Sequence, residues 1–258
     1  VIDHDGYHRS QQEGAMQLVL IGGEEFADGF EDVHAAILSQ VASGKSRGVF
    51  LPTCATHDGL ETVKSWCRKA KERLSPAAAS VETPLIVDRQ SADDPANVAL
   101  LASADWIYLG GGYPQVGMSI LAGTHSLEAL RQAAARGVLI IGASAGAMMM
   151  CARSVVITPG LMSGTSAPEP LDCLGFVPDS LCVPHFNAPW AERWLDDRLR
   201  PKDLTLIGID EQTALVHTRG LWEVLGRGRV GILGKDNTVT WYLAGQQVAW
   251  PGVTLSCL

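Results

Sequence analysis

VLIIGASAGAMM, residues 138–149, decides how this chain is read. Val138 to Ile141 is an apolar run of strand length, and it enters Gly142-Ala143-Ser144-Ala145-Gly146 directly. That is a G-x-S-x-G nucleophile elbow, in which a serine is held in a strained turn between a strand and a helix. Bulky neighbours clash in such a turn, so glycine and alanine are the residues that fit. The turn lifts the hydroxyl clear of the sheet and beside N–H groups at a helix start, where an oxyanion is stabilised. The motif points to a serine hydrolase on an α/β sheet.

Outward from the elbow, strand and helix alternate. Strands are expected at 17–22, 47–52, 84–88 and 105–109, with helices at 30–43, 60–74 and 96–102 between them. Ser126 is expected to cap a further helix that Gly137 ends. This order predicts a mostly parallel sheet covered by helices on both faces. Residues 154–184 read as loop-rich, long enough for a lid or pocket wall. Pro189 is expected to open a helix carrying Trp190, Trp194, Leu195 and Leu199, ended by Pro201. The two tryptophans, at helical spacing, are assigned to packing ahead of pocket lining. Residues 204–209 form a buried strand, 213–217 continue the sheet, and 221–250 read as short antiparallel strands with a turn at 235–237.

Of 258 residues, 47% are hydrophobic and 19% charged, and the net charge is -8. That suits a globular domain and offers no basic footprint for nucleic acid or a membrane surface. The apolar runs are too short for a membrane helix. Residues 1–15 are polar and patternless, and are expected to be a leader or an extension from cloning, with 16–258 one domain starting at Met16. The six cysteines show no C-x-x-C pair, several sit in apolar runs, and a reduced, cytoplasmic setting is expected.

A serine nucleophile needs a base, and the base needs an orienter. His4 and His8 lie in the leader, and His34 and His125 at polar helix positions. His57, His185 and His217 remain, with His185 best placed between an apolar run and a helix. His57, on the loop after the second strand, suits a substrate-side role. Asp210-Glu211, at the end of the apolar run LTLIGI, are costly there unless paired, and either could orient the histidine. Asp172, Asp196 and Asp197 are weaker candidates in polar settings. Gly110-Gly111-Gly112 allow close backbone approach and a second oxyanion donor beside the Ala145 N–H. Gly226 to Gly231 matches G-x-G-x-x-G, but no helix follows and no acid stands at the required distance, so a dinucleotide site is rejected. No metal-binding or Walker motif is present, and no cofactor is expected.

GASAGA (142–147), YLGGGYPQ (108–115), PHF (184–186) and GIDEQTALV (208–216) occur in an order that resembles the cyanophycinase and aspartyl dipeptidase (peptidase E) family of serine peptidases. LIGG (20–23), FLPT (50–53) and residues 92–112 extend the likeness over most of 17–235. The resemblance implies a three-layer αβα sandwich with a mostly parallel central sheet. This is the class I glutamine amidotransferase-like (flavodoxin-like) fold, here with a C-terminal antiparallel β extension. It implies the order serine, histidine, acid: Ser144, His185 and Glu211, the acid being as in cyanophycinases. Gly111 or Gly112 with Ala145 match the oxyanion hole, Gln115 a polar pocket residue, and Arg193 is the one basic residue after the histidine. A homodimer and short peptide substrates are also implied.

Departures are visible. Val183-Pro184 stands where cyanophycinases read Asp-Gln, the arginines after the histidine are reduced to Arg193, and Tyr113 follows the glycines where peptidase E carries Asn or Asp. The expected activity is therefore a serine exopeptidase or dipeptidase of neither known specificity. An esterase or amidase with the same triad, and a non-catalytic binding protein with Ser144 and His185 well apart, are the alternatives.

Overall fold

Leu18 and Leu20 face one apolar core while Val19 and Ile21 face another, and all four are fully buried. That alternation places their strand in the middle of a sheet covered on both sides. The computed structural model describes residues 16–41, 46–195 and 201–250; the expected leader, and residues 196–200 of the helix expected after Pro189, lie outside them.

In chain order the elements are β1 (Gln17–Ile21), α1 (Glu31–Leu38), β2 (Arg47–Leu51), α2 (Leu60–Leu74), β3 (Ser80–Glu82), α3 (Arg89–Ala92), α4 (Pro95–Ala102) and β4 (Trp106–Leu109). Then follow α5 (Pro114–Leu121), α6 (His125–Ala135), β5 (Leu139–Ala143), α7 (Ala145–Met150), β6 (Cys151–Val155), α8 (Pro159–Ser163), β7 (Pro170–Asp172) and β8 (Val177–Val183). The chain closes with β9 (Thr205–Ile209), β10 (Thr213–Thr218), β11 (Leu221–Gly226), β12 (Arg229–Leu233), β13 (Val239–Leu243) and β14 (Gln247–Val248).

Two sheets form. The first runs β14-β11-β10-β1-β5-β4-β2-β3, with β1, β5, β4, β2 and β3 parallel and the other three antiparallel. The second runs β13-β12-β9-β8-β6-β7, parallel through β6, β8 and β9. The expected α/β architecture with a mostly parallel main sheet and antiparallel C-terminal strands is present. The second sheet is the new element. Residues 213–217 continue the first sheet beside β1, whereas 205–209 (β9) belong to the second: within Asp210-Glu211-Gln212 the chain leaves the second sheet and enters the first. Every residue of α7 is buried, and the helix contacts β5 and β1 of one sheet and β6 and β8 of the other. The elbow therefore sits at the seam.

Local differences have plain causes. The third strand is Ser80–Glu82, not 84–88. Pro84 has no N–H for a ladder, and its carbonyl instead accepts from Ile86, an i to i+2 turn. Thr124, not Ser126, caps α6, accepting from the Leu127 N–H, and Gly137 ends the helix at φ 81°. The loop-rich reading of 154–184 missed β8, whose exposed Pro178 and Asp179 break the apolar pattern. After Pro189 a short 3-10 turn, Ala191–Leu195, replaces the described part of the expected helix. His34 is not at a polar position. It is buried among Phe26, Phe30 and Tyr108, and burial lowers its pKa to about 4.

Candidate active site

Ser144 sits between β5 and α7 at φ 50° and ψ -113°. Its N–H is held by the Ile21 carbonyl at 2.9 Å, so a strained conformation is fixed by the neighbouring strand. Both glycines of the elbow are needed for contact. A Cβ on Gly142 would lie 2.6 Å from the Gly146 carbonyl, and one on Gly146 would lie 2.1 Å from the Leu109 carbonyl. Helix α7 thus packs backbone to backbone on β4 and β5. Ala145 is the first residue of α7, so its N–H has no acceptor within the helix. Gly111, on the loop after β4, lies beside Ser144: a Cβ there would stand 3.4 Å from the Ser144 Cβ. Gly112 lines the space next to Ser144.

His185 follows β8 at φ 51°, and its N–H donates to the Gly22 carbonyl at 2.7 Å. Its Nε2 is 3.0 Å from Ser144 Oγ and its Nδ1 is 2.8 Å from Glu211 Oε1. The imidazole lies on Gly23, where a Cβ would come within 2.3 Å of the ring. Glu211 is fixed in turn: its N–H donates to the Asn187 side-chain oxygen at 2.9 Å, and the next residue, Gln212, donates to the Gly23 carbonyl. The wide separation of Ser144 from His185 that a non-catalytic protein required is not found.

Of the two adjacent acids, Asp210 points away. It is buried, accepts from the Arg229 N–H at 3.1 Å and pairs with the Arg229 guanidinium at 3.4 Å. His217 is also accounted for, buried against Trp222 with Nδ1 3.0 Å from the Met16 carbonyl. His125 pairs with Asp93 on the surface.

Two substrate-side expectations need correction. His57 packs edge-on against Tyr113, with ring centroids 4.9 Å apart. Tyr113 and Asp58, rather than His57, line the cavity at Ser144. The Gln115 amide is spent on the backbone of Ile157, donating to its carbonyl at 2.8 Å and accepting from its N–H at 3.2 Å. It props the cavity wall instead of facing the cavity. Arg193 does line the cavity, but its guanidinium bonds the Leu161 and Met162 carbonyls and ties α8 in place. Trp190 and Trp194 line the same cavity as well as packing in the core beneath it. That cavity, of 380 Å³, is mainly apolar, with Met148, Val155, Leu161 and Leu181 among its walls.

Sequence reasoning missed Gly23, Asn187 and Glu25. The double glycine after a buried strand was the available signal for the first. Glu25 is buried and lines a cavity that Ser144 shares, and burial raises its pKa.

Comparison with known proteins gives the family and the fold. The profile of Peptidase family S51 matches residues 18–223. No curated protein matches the chain. A crystal structure of a peptidase from an acI-B1 Actinobacterium superposes with a TM-score of 0.78 at 24% identity, covering 94% of this chain and 100% of the other. A peptidase E-type protein from Listeria monocytogenes EGD-e gives 0.60 at 19% identity, covering 83% and 100%. At these identities the two structures speak for the fold.

Proposed function

This chain belongs to peptidase family S51, and we propose that it is a serine exopeptidase or dipeptidase acting through Ser144, His185 and Glu211. The supporting observation is the unbroken relay from Ser144 Oγ to His185 (3.0 Å) and on to Glu211 (2.8 Å), with the serine in an elbow at φ 50°. His185 Nε2 takes the hydroxyl proton as Ser144 Oγ attacks the peptide carbonyl carbon. The tetrahedral oxyanion is met by the Ala145 N–H and an N–H of Gly111 or Gly112. His185 then gives its proton to the leaving amine, and water, deprotonated by the same imidazole, cleaves the acyl-enzyme. Glu211 holds the Nδ1–H tautomer and stabilises the imidazolium. No cofactor enters this cycle. Cavities walled by residues of the 154–184 stretch suit short peptides better than a polypeptide running through.

Cytoplasmic residence and a homodimer belong to the same proposal. Free thiols at Cys54, Cys67, Cys151, Cys173 and Cys182 suit a reducing compartment. The dimer rests on the family resemblance, and light scattering tests it. Among the described residues no helix is long and apolar enough to cross a membrane.

The experiment is cleavage of a dipeptide and tripeptide library read by mass spectrometry, with a Ser144→Ala control. Particular peptides are expected to disappear, and the variant is expected to lose about a million-fold in kcat while keeping its thermal midpoint. Equal turnover by the variant removes the serine mechanism. Cleavage of small esters but no peptide transfers the triad to an esterase.

A further inference from the structure

The β12–β13 hairpin lies after the residues that the family profile covers, 18–223, yet it touches the neighbours of both His185 and Glu211. On one level of the second sheet, Trp241 of β13, Gly231 of β12 and Gly208 of β9 stand opposite one another, so their side-chain positions share a face. The two glycines leave room on that face for rings. A Cβ on Gly231 would lie 2.8 Å from the Trp241 indole, and one on Gly208 would lie 2.3 Å from the Phe186 ring. The rings fill the space side by side, with centroids 5.8 Å apart and planes at 38°. Arg229, two residues before Gly231, belongs to the same face, and its guanidinium carbon stands 4.0 Å from the indole centroid.

Phe186 follows His185, and Arg229 holds the residue before Glu211. His185 sits at φ 51°, a conformation that a non-glycine residue keeps only where its surroundings impose it. The Phe186 N–H donates to the Ile209 carbonyl at 3.0 Å, and its ring is seated on Gly208 against the indole. On the other arm, Asp210 is buried and exchanges bonds with Arg229. The Asp210 N–H donates to the Arg229 carbonyl and the Arg229 N–H to Asp210 Oδ2, both at 3.1 Å, and Arg229 Nε pairs with the same oxygen at 3.4 Å. A buried carboxylate needs such a partner, and a guanidinium resting on an aromatic face is held to one geometry. One indole thus braces the segment of the base and the segment of the acid, whose Nδ1 to Oε1 bond is 2.8 Å. We infer that Trp241 is a positioning residue for the relay, acting through Phe186 on His185 and through Arg229 and Asp210 on Glu211. The inference rests on the relay assigned above and not on which acyl group Ser144 takes. Trp241 is 37% exposed, so its truncation is expected to leave the fold intact.

Labelling of Ser144 in the whole chain by a fluorophosphonate tests this, because it needs the serine and its base but no peptide. Trp241→Ala is expected to label at least about tenfold more slowly than the wild type. On any peptide that the library identifies, it should lower kcat and leave KM unchanged. Trp241→Phe keeps a ring face and should come back to within about threefold of the wild type. In a Glu211→Gln background, Trp241→Ala should cost less than about twofold, since the relay it serves is already broken. Wild-type labelling by Trp241→Ala, no rescue by Trp241→Phe, or a full further loss in the Glu211→Gln background overturns the inference and leaves the indole to packing. Should Trp241→Ala fail to fold by circular dichroism, Trp241→Leu covers Gly231 without a ring face. Slowed labelling of that variant supports the inference and wild-type labelling overturns it. Slowed labelling of the variant, with no peptide cleaved by the wild type, removes the peptidase reading and leaves the positioning role standing. No labelling of the wild type removes both.

Discussion

The two sheets contribute to the site in different ways. The first supplies Ser144 and Gly111 from the ends of neighbouring parallel strands, β5 and β4, bonded in register from Trp106 opposite Leu139 to Leu109 opposite Gly142. The second supplies His185 after β8 and leads to Glu211 after β9, in register from Ser180 opposite Thr205 to Val183 opposite Gly208. The strained turn at Ser144 is specified locally, by glycines four residues apart. The relay that reaches it is specified by how two sheets dock. A fault in the second half should therefore leave a well-folded elbow with no working base.

Three substitutions separate these contributions. Glu211→Gln has the largest expected effect. It leaves the shape of the seam and removes the acceptor that fixes the His185 tautomer, so kcat should fall about 10⁴-fold. Stopped-flow turnover on any substrate found above checks this, and a loss under tenfold would take Glu211 out of the relay. Gly23→Ala comes next. Its Cβ would press to 2.3 Å of the imidazole from the first sheet's side. Moving the ring by about an ångström should cost on the order of 10²-fold in kcat, with the elbow unaltered. Unchanged kinetics would mean that the ring tolerates displacement.

The smallest effect probes the first sheet's core, away from the chemistry. His34 is buried with its pKa lowered to about 4. An unfolded chain protonates it from about pH 6.5 downward, while the folded chain stays neutral until about 4. Its contribution is thus whole above pH 6.5 and is lost as the pH falls. Between pH 7 and pH 5 the loss should reach about 2 kcal/mol. Urea midpoints for the wild type and His34→Gln at both values check it, and an equal acid shift in the variant would assign the loss to other groups.

How legible each half was in the sequence follows from the same contrast. The elbow, the strands β1, β2, β4 and β5, and α2 were readable because apolar runs and Gly signals are local. The second sheet was largely hidden. Pro178 and Asp179 interrupt β8, and no local pattern tells that β9 and β10 belong to different sheets. Glu211 and Asp210 illustrate the limit: adjacent acids on one loop point opposite ways, one to His185 and one to Arg229. Gln115 was misread because a polar side chain in a ligand-facing loop bonds a backbone as readily as a substrate. Glu25 went unseen because the acids of GGEEFADG look solvated until the burial of Glu25 is known.

The apolar cavity's walls come chiefly from α8, β8 and the turn around Trp190 and Trp194, held by Arg193 and Gln115 through bonds to backbone carbonyls and amides. Those bonds are indifferent to which side chains the wall carries. Mutational drift among Ile157, Leu161, Met162 and Leu181 can therefore reshape what is admitted without disturbing the serine. The wall of the cavity and the turn at Ser144 are thus built by separate sets of bonds.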